Sequence, residues 1–134
     1  MKIVIDANII ISALRFGGSP RKILDLANRG DVVSFTSSEV MAEIENVLIS
    51  KFAVSPSEWI IIAGAIRDNL TIIPIPELPS VPELRDQRDL HVLAAAELCT
   101  ADFIISGDKE LLVLGHYKNV PIITASDFIK QFEP

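Results

Sequence analysis

The sequence has one cysteine, six glycines and no long apolar run, and each scarcity excludes a class of protein. Cys99 has no partner for an intrachain disulfide, which favours a reducing compartment and a small buried apolar side chain. So few glycines exclude collagen-like and low-complexity chains. The N-terminal apolar stretch stops at Asp6, too early for a signal-peptide core, and no run approaches the ~18 residues of a membrane span. We therefore expect a cytoplasmic globular protein with no membrane association.

An excess of positive charge is also missing. Twelve lysines and arginines against eighteen aspartates and glutamates leave a net charge of −6, which excludes a protein that coats nucleic acid through bulk charge. Single basic residues remain available for phosphate contacts. The length of 134 residues fits one domain with its own core, so we expect a single domain over residues 1–134.

Short apolar runs without polar alternation predict strands that are buried on both faces. These runs are residues 2–5, 32–35, 70–73, 103–105 and 121–124. Helix start signals lie between them, at Ser19-Pro20, at Thr36-Ser37-Ser38-Glu39 and at the capping box Ser55-Pro56-Ser57-Glu58. The alternation of strands and helices predicts an α/β fold, a three-layer α/β/α sandwich with a five-stranded parallel sheet.

Two segments between the predicted strands have unusual composition. Prolines at positions 74, 76, 79 and 82 exclude a helix or a central strand there, so we expect an extended surface crossover. The helix that starts near Pro56 is apolar on nearly every side from Trp59 to Ile66. Its outer face is either buried in the layer that packs on the sheet or covered by a second copy in a homodimer.

Two predicted strands are followed by an aspartate at the edge where an open parallel sheet binds ligands. Asp6 comes directly after the first strand, and Asp108 follows residues 103–105 through Ser106 and Gly107. Each aspartate alone is also explained as an ordinary turn or helix N-cap residue. The two together favour a site in the crevice at this edge.

Two further acids come from predicted helices. At 100° per residue, Glu43 falls on the flank of its helix's apolar stripe, where a half-buried carboxylate needs a partner. Asp89 shares a helix face with Leu93 and Ala96 and so points toward the core from a helix N-terminus. N-terminal capping explains one of the pair Asp86 and Asp89, which leaves one acid spare.

Convergence of these acids would oppose folding unless their charge is neutralised. Two carboxylates about 5 Å apart repel each other by roughly 3 kcal/mol at an effective dielectric constant of 20. A divalent metal ion removes this cost, and all-oxygen ligands point to Mg²⁺ or Mn²⁺, because His91 and His116 lack the spacing of a zinc site. Since Mg²⁺ on a few carboxylates is completed by water and phosphate oxygens, the pattern predicts phosphoryl-group chemistry.

Taken in order along the chain, these motifs resemble the PIN-domain family, and specifically the VapC-like ribonuclease toxins of toxin-antitoxin pairs. The matching segments are Ile3 to Asn8, Glu43, Arg85 to Asp89 leading into Ala94-Ala95-Ala96, and Ala101 to Leu112. The resemblance implies that Asp6, Glu43, Asp89 and Asp108 are the catalytic, metal-binding carboxylates, that Asn8 and Ser106 support them by hydrogen bonding, and that Asp86 is an additional acid. The sequence departs from the family pattern at Ala7, where a hydroxyl residue is common, and at Ser106, where threonine is common.

The activity that this resemblance implies is metal-dependent endonucleolytic hydrolysis of single-stranded RNA, with one or two Mg²⁺ or Mn²⁺ ions and no protein nucleophile. Arg15 and Arg88 are the first candidates for RNA binding, ahead of Arg21, Lys22, Arg85 and Lys109. The resemblance also implies a protein antitoxin partner, which inserts a basic side chain into the acidic cleft or covers the apolar helix.

Other functions are weighed against the same residues. A phosphoacceptor signalling domain needs an aspartate ending the third strand and a lysine ending the fifth, where this chain has Ile73-Pro74 and Thr124-Ala125. A haloacid-dehalogenase-like phosphatase needs an aspartate at the position of Asn8. A catalytically inactive PIN-fold binding or scaffold module and a housekeeping RNA-processing nuclease both stay open.

Overall fold

A single sheet forms the centre of the molecule. The computed structural model describes residues 1–132. Its strands are β1 (Lys2–Ile5), β2 (Val33–Ser37), β3 (Leu70–Ile73), β4 (Phe103–Ile105), β5 (His116–Tyr117) and β6 (Val120–Ile123). They lie in the order β3-β2-β1-β4-β6-β5, and all neighbours pair in parallel except β5, which runs antiparallel to β6.

The five predicted strands are therefore confirmed as the parallel part of a six-stranded sheet. The sheet has one strand more than predicted, the antiparallel edge strand β5, whose two residues are too few to show any periodicity. The second and fifth predicted strands are also displaced by one or two residues from β2 and β6, as is common at element ends.

Helices lie on both faces of the sheet and complete the predicted three layers. They are α1 (Ala7–Arg15), α2 (Gly18–Arg29), α3 (Ser38–Phe52), α4 (Pro56–Asn69), α5 (Gln87–Cys99), α6 (Lys109–Leu114) and α7 (Ala125–Phe132). The capping box before α4 is present as predicted, because the Ser55 hydroxyl accepts the Glu58 N–H and the Glu58 carboxylate accepts the Ser55 N–H, each at 3.1 Å.

The turn between α1 and α2 depends on two glycines. Gly17 and Gly18 have φ values of +80° and +68°, which place both residues in the region that side chains with a Cβ rarely adopt. The helix start predicted at Ser19-Pro20 is thus two residues late, since the N-cap is Gly17 and α2 begins at Gly18. This tight turn folds α2 back against α1.

The order of the strands creates a crevice between β1 and β4. From β1 the chain moves outward through β2 to β3, then crosses back through α5 to β4 on the other side of β1. The strand order reverses at this point, and open α/β sheets bind ligands at the carboxyl ends of strands that flank such a reversal. Asp6 follows β1 and Ser106 follows β4, so both predicted site residues face the crevice.

The proline-rich crossover and the apolar helix give different outcomes. Residues 74–86 contain no helix or strand, as predicted. Cys99, in α5, is buried, as also predicted. Of the two explanations given for the outer face of α4, burial within this chain was wrong, and a homodimer contact stays a prediction. Trp59, Ala63 and Ile66 are buried, whereas Ile60 and Ile61 are 72% and 75% exposed. The helix therefore packs along one stripe and presents two isoleucines outward.

Candidate metal centre and nucleic-acid site

Asp6 is fixed in place from both sides of its carboxylate. The residue is buried, with 8% of its surface exposed, and it is the N-cap of α1. One carboxylate oxygen accepts the Ala7 N–H at 2.7 Å, and the other accepts the Ser106 hydroxyl at 2.7 Å. Burial raises the pKa of Asp6, while these two hydrogen bonds oppose that rise. The ordinary N-cap role and a place in the predicted site therefore coexist in one residue.

Ser106 also connects Asp6 to Asp108. Its fully buried hydroxyl oxygen accepts the Asp108 N–H at 3.0 Å while its O–H donates to Asp6. Asp108 is the N-cap of α6 and accepts the N–H groups of Glu110 and Leu111 at 2.9 and 3.2 Å. These hydrogen bonds link the Asp6 carboxylate at the end of β1 to the Asp108 backbone beyond β4.

Asp89 is the acid with the least support from its surroundings. It lies in the first turn of α5 and is 5% exposed, and its Oδ2 atom is buried without a hydrogen-bond partner. Burial, followed by repulsion from Asp108 and Asp6, raises the pKa of Asp89 to about 7. A buried polar atom without a partner carries a large desolvation cost, which a ligand at this position would relieve.

Glu43 enters the site from α3 and is partly neutralised by an arginine. Its carboxylate is half-buried, as the helical spacing predicts, and lies 3.8 Å from the Arg88 guanidinium. Burial raises the pKa of Glu43, Arg88 lowers it, and Asp6, Asp86 and Asp108 raise it further. Asp6, Asp86 and Asp108 therefore lie close enough for their charges to act on Glu43.

Arg88 is held chiefly by Asp86. The Asp86 side chain caps α5 and accepts two guanidinium nitrogens of Arg88, at 2.9 and 3.2 Å. This pairing lowers the pKa of Asp86. Of the two acids at the start of α5, Asp86 is the N-cap, and Asp89, in the first turn, is the acid that capping does not explain.

Glu110 joins the acids and was not singled out by sequence. Oxygen atoms of Asp89, Asp108 and Glu110 lie within 4.8 Å of one another, which makes this the group in residues 1–132 able to hold a metal ion with three acidic ligands. Asp6 and Glu43 are not part of this group. The available signal was the Asp108-x-Glu110 spacing at the start of a helix, which places both side chains at the same helix end.

Thr36 is a second residue that sequence reasoning missed. Its fully buried hydroxyl donates to the Ile5 carbonyl at 2.9 Å, which ties β2 to the backbone immediately before Asp6. The residue lies inside a buried strand, where a threonine is ordinary, so only the structure connects it to the site.

The remaining predicted site residues fall into three situations. The Asn8 side chain is exposed and, within residues 1–132, forms no hydrogen bond to another residue. Arg88 has the pairs described above. Arg15 lies at the end of α1, where its guanidinium carbon is 3.5 Å from the centre of the Phe52 ring. Neither His91 nor His116 belongs to the acidic group within the described residues, and His116 is exposed in β5.

The chemistry of the acidic group fits a hard divalent cation. Its donors are carboxylate oxygens alone, one of them buried and without a partner, and three of the carboxylates lie close enough to share one ion. Asp89, Asp108 and Glu110 are the residues that would hold it, with Asp6 and Glu43 beside them.

Comparison with known proteins identifies the class to which this fold and site belong. A model of the PIN domain matches residues 2–110, so the chain belongs to the PIN-domain family, as the resemblance predicted. PIN domains are in general nucleases, which agrees with an acid-lined crevice.

Two individual proteins resemble the chain over nearly its whole length. An uncharacterized protein of Methanocaldococcus jannaschii is 30% identical over 146 residues, which cover 99% of this chain and 92% of the relative. A chain in the crystal structure of VapBC2 from Rickettsia felis, bound to a DNA fragment from their promoter, matches with a TM-score of 0.64. That match covers 91% of this chain and 97% of the other at 16% identity, and it confirms the fold. Within residues 1–132, no helix is both long enough and apolar enough to cross a membrane.

Proposed function

We propose that this PIN-domain protein is a metal-dependent endoribonuclease that hydrolyses phosphodiester bonds in single-stranded RNA. The observation that carries the proposal is the buried, unpartnered Oδ2 atom of Asp89, located in a group of carboxylates at the strand-order reversal. A chain gains nothing in stability from such an arrangement, whereas bound Mg²⁺ or Mn²⁺ would satisfy it.

Different residues of the site would bind the metal ion, orient the acids and contact the RNA. Asp89, Asp108 and Glu110 would hold the ion, and Asp6 and Glu43 would complete its acidic surroundings. When bound, the ion supplies Lewis-acid activation of water and of the scissile phosphate. Ser106 links the Asp6 carboxylate to the Asp108 backbone N–H, and Asp86 restrains the Arg88 guanidinium beside Glu43. In that position Arg88 is placed to contact an RNA phosphate, and Asn8 offers an exposed amide at the same edge.

The test compares cleavage of a labelled single-stranded RNA by the wild type, by Asp6→Asn and by Asp89→Asn, with Mg²⁺, with Mn²⁺ and with EDTA. We expect metal-dependent cleavage by the wild type and its loss in both variants. Asp68→Asn is the matched control, because it removes one exposed carboxylate from α4, outside the site. Circular dichroism checks that all proteins fold. No cleavage by the wild type, together with no thermal stabilisation by either metal, would overturn the proposal.

We further propose that the chain is the toxin of a toxin-antitoxin pair and acts on RNA in the cytoplasm. The support is its structural likeness to a chain of the VapBC2 complex. The partner would be a protein antitoxin that presents a basic side chain to the acidic crevice or covers an apolar helix surface. Co-expression with the product of a small adjacent reading frame should yield a stable complex and suppress RNA cleavage. Cleavage that is unaffected by every neighbouring gene product would instead favour a housekeeping nuclease.

A homodimer is the proposed assembly. Ile60 and Ile61 form an outward apolar pair on α4, and apolar side chains grouped on a surface mark interfaces.

A further inference from the structure

Three segments of at least twelve residues in this acidic chain contain basic residues and no acidic ones, and two of them lie close together in the fold. Residues 7–24 include Arg15, Arg21 and Lys22, and residues 46–57 include Lys51. The whole chain has a net charge of −6, so with these four positive charges set apart the other residues carry a net charge of −10. The basic residues of these segments are therefore not balanced by acids within the same stretch of sequence.

The fold brings the two segments together at the ends of α1 and α3. The Arg15 guanidinium carbon lies 3.5 Å from the ring centre of Phe52 and 5.0 Å from the ring centre of Phe16. Lys51 precedes Phe52 in the last turn of α3, and Arg21 and Lys22 lie near the start of α2, just after the glycine turn. Asp25 is the acid that approaches this surface, where it pairs with Arg21 at 3.5 Å.

The aromatic rings at this surface are the exposed ones of the molecule. Phe16 is 77% exposed and Phe52 is 41% exposed, whereas the other aromatic side chains in residues 1–132 are buried or partly buried. Neither ring is needed to fill the core. Both keep free surface beside a guanidinium group, the combination that stacks nucleobases and neutralises phosphates in proteins that bind single strands.

We propose that this basic platform, formed by Arg15, Phe16, Arg21, Lys22, Lys51 and Phe52, binds single-stranded RNA outside the acidic crevice. The proposal rests on the ribonuclease function above. A single strand is favoured over a duplex because its bases are free to stack on the rings. α1 begins directly after Asp6 in the crevice and ends at Arg15. Its nine residues span about 14 Å, so one strand can run from the acidic group to the platform.

The test measures binding without cleavage. Fluorescence anisotropy of a labelled oligouridylate in EDTA gives the Kd for the wild type, Phe16→Leu, Phe52→Leu and Arg15→Gln. Each variant removes one stacking or phosphate contact, so we expect each to raise the Kd roughly fivefold or more. Arg15→Gln should also make the RNA affinity less dependent on salt concentration, by the equivalent of about one phosphate contact. Arg67→Gln and Leu98→Gln remove an exposed charge and an exposed apolar side chain elsewhere and should bind like the wild type.

Unchanged RNA affinity in the three platform variants would overturn the proposal. If these variants instead bind a protein antitoxin more weakly while their RNA affinity is unchanged, the surface is a protein-docking site. Cleavage of the same RNA by the wild type with Mn²⁺ is measured separately. Because binding is measured in EDTA, the two proposals fail separately. Absence of cleavage overturns the proposed nuclease activity, and unaltered RNA affinity of the variants overturns the proposed RNA-binding platform.

Discussion

Asp89 makes the stability of the metal-free protein depend on pH. Its pKa is about 7 in the folded chain, against an ordinary value of 3.8. Between pH values of about 4 and about 7, the folded state therefore keeps a proton on Asp89 that the unfolded state has lost. As the pH rises through this range, the free energy of unfolding falls. The loss is on the order of a few kcal/mol, and burial of Asp6 and Glu43 acts in the same direction.

Asp89→Asn should remove most of this dependence and make the protein more stable than the wild type at pH 8. Urea unfolding in EDTA at a series of pH values gives the comparison, with Asp68→Asn as the control that keeps the wild-type slope. A wild-type slope in Asp89→Asn would show that another group is responsible.

Ser106 is the residue on which the arrangement of Asp6 and Asp108 depends. Ser106→Ala removes the donor to Asp6 and the acceptor of the Asp108 N–H, and we expect a loss of about 1–3 kcal/mol in the free energy of unfolding and lower nuclease activity. Ser106→Thr keeps the hydroxyl and should keep most of both. Denaturant unfolding gives the stability of both variants, and RNA cleavage rates give their activity. Ser80→Ala on the exposed crossover is the control. An equal loss in the alanine and threonine variants would contradict a role for the hydroxyl.

At the scale of elements, the turn between α1 and α2 is set by backbone conformation. A Cβ added at Gly17 meets no atom within 4 Å, so only its φ of +80° opposes substitution. Gly17→Ala should therefore lower the free energy of unfolding by about 1 kcal/mol or more. Gly64 also has open space but lies inside α4, so Gly64→Ala should raise it by about 0.5–1 kcal/mol. Thermal unfolding of the two variants should give shifts of opposite sign, and shifts of the same sign would refute this account.

The elements that sequence predicted are those with a local physical signature. The capping box of α4 and the buried runs of β1 and β4 are examples, since the residues that make the element also mark its limits. α1 was not predicted, because Ile9, Ile10 and Ile11 continue the β-branched run of β1 and carry no local preference for a helix. Packing against α2 and α3 decides its conformation.

At the scale of the whole molecule, the position of the site was predictable and its detailed membership was not. Parallel strands bring Asp6 and Asp108 to one edge whatever their side chains do. The contact of Glu110 with Asp89 and the pairing of Arg88 with Asp86 depend on how α5 and α6 approach each other, which no spacing along the chain determines.

The exposed pair on α4 gives a prediction about assembly. If the proposed dimer forms, Ile60→Gln combined with Ile61→Gln should shift it to a monomer without loss of folding, because both side chains are largely exposed within one chain. Sedimentation velocity over a range of concentrations measures the change. Val113→Gln, which removes an 87% exposed apolar side chain from α6, should leave the dimer intact. A wild type that is monomeric at every concentration would contradict the proposed dimer.

Helix capping also affects how this chain would change over evolutionary time. Asp6, Asp86 and Asp108 each cap a helix, whereas Glu43 and Asp89 cap none. A lineage released from selection for hydrolysis would still be selected for aspartate, or for asparagine or serine, at the three caps, because each cap stabilises its helix by about 1 kcal/mol. Glu43 and Asp89 would drift first. Among descendants, these two positions rather than the aspartates at the caps would record whether the ancestral chemistry had been kept.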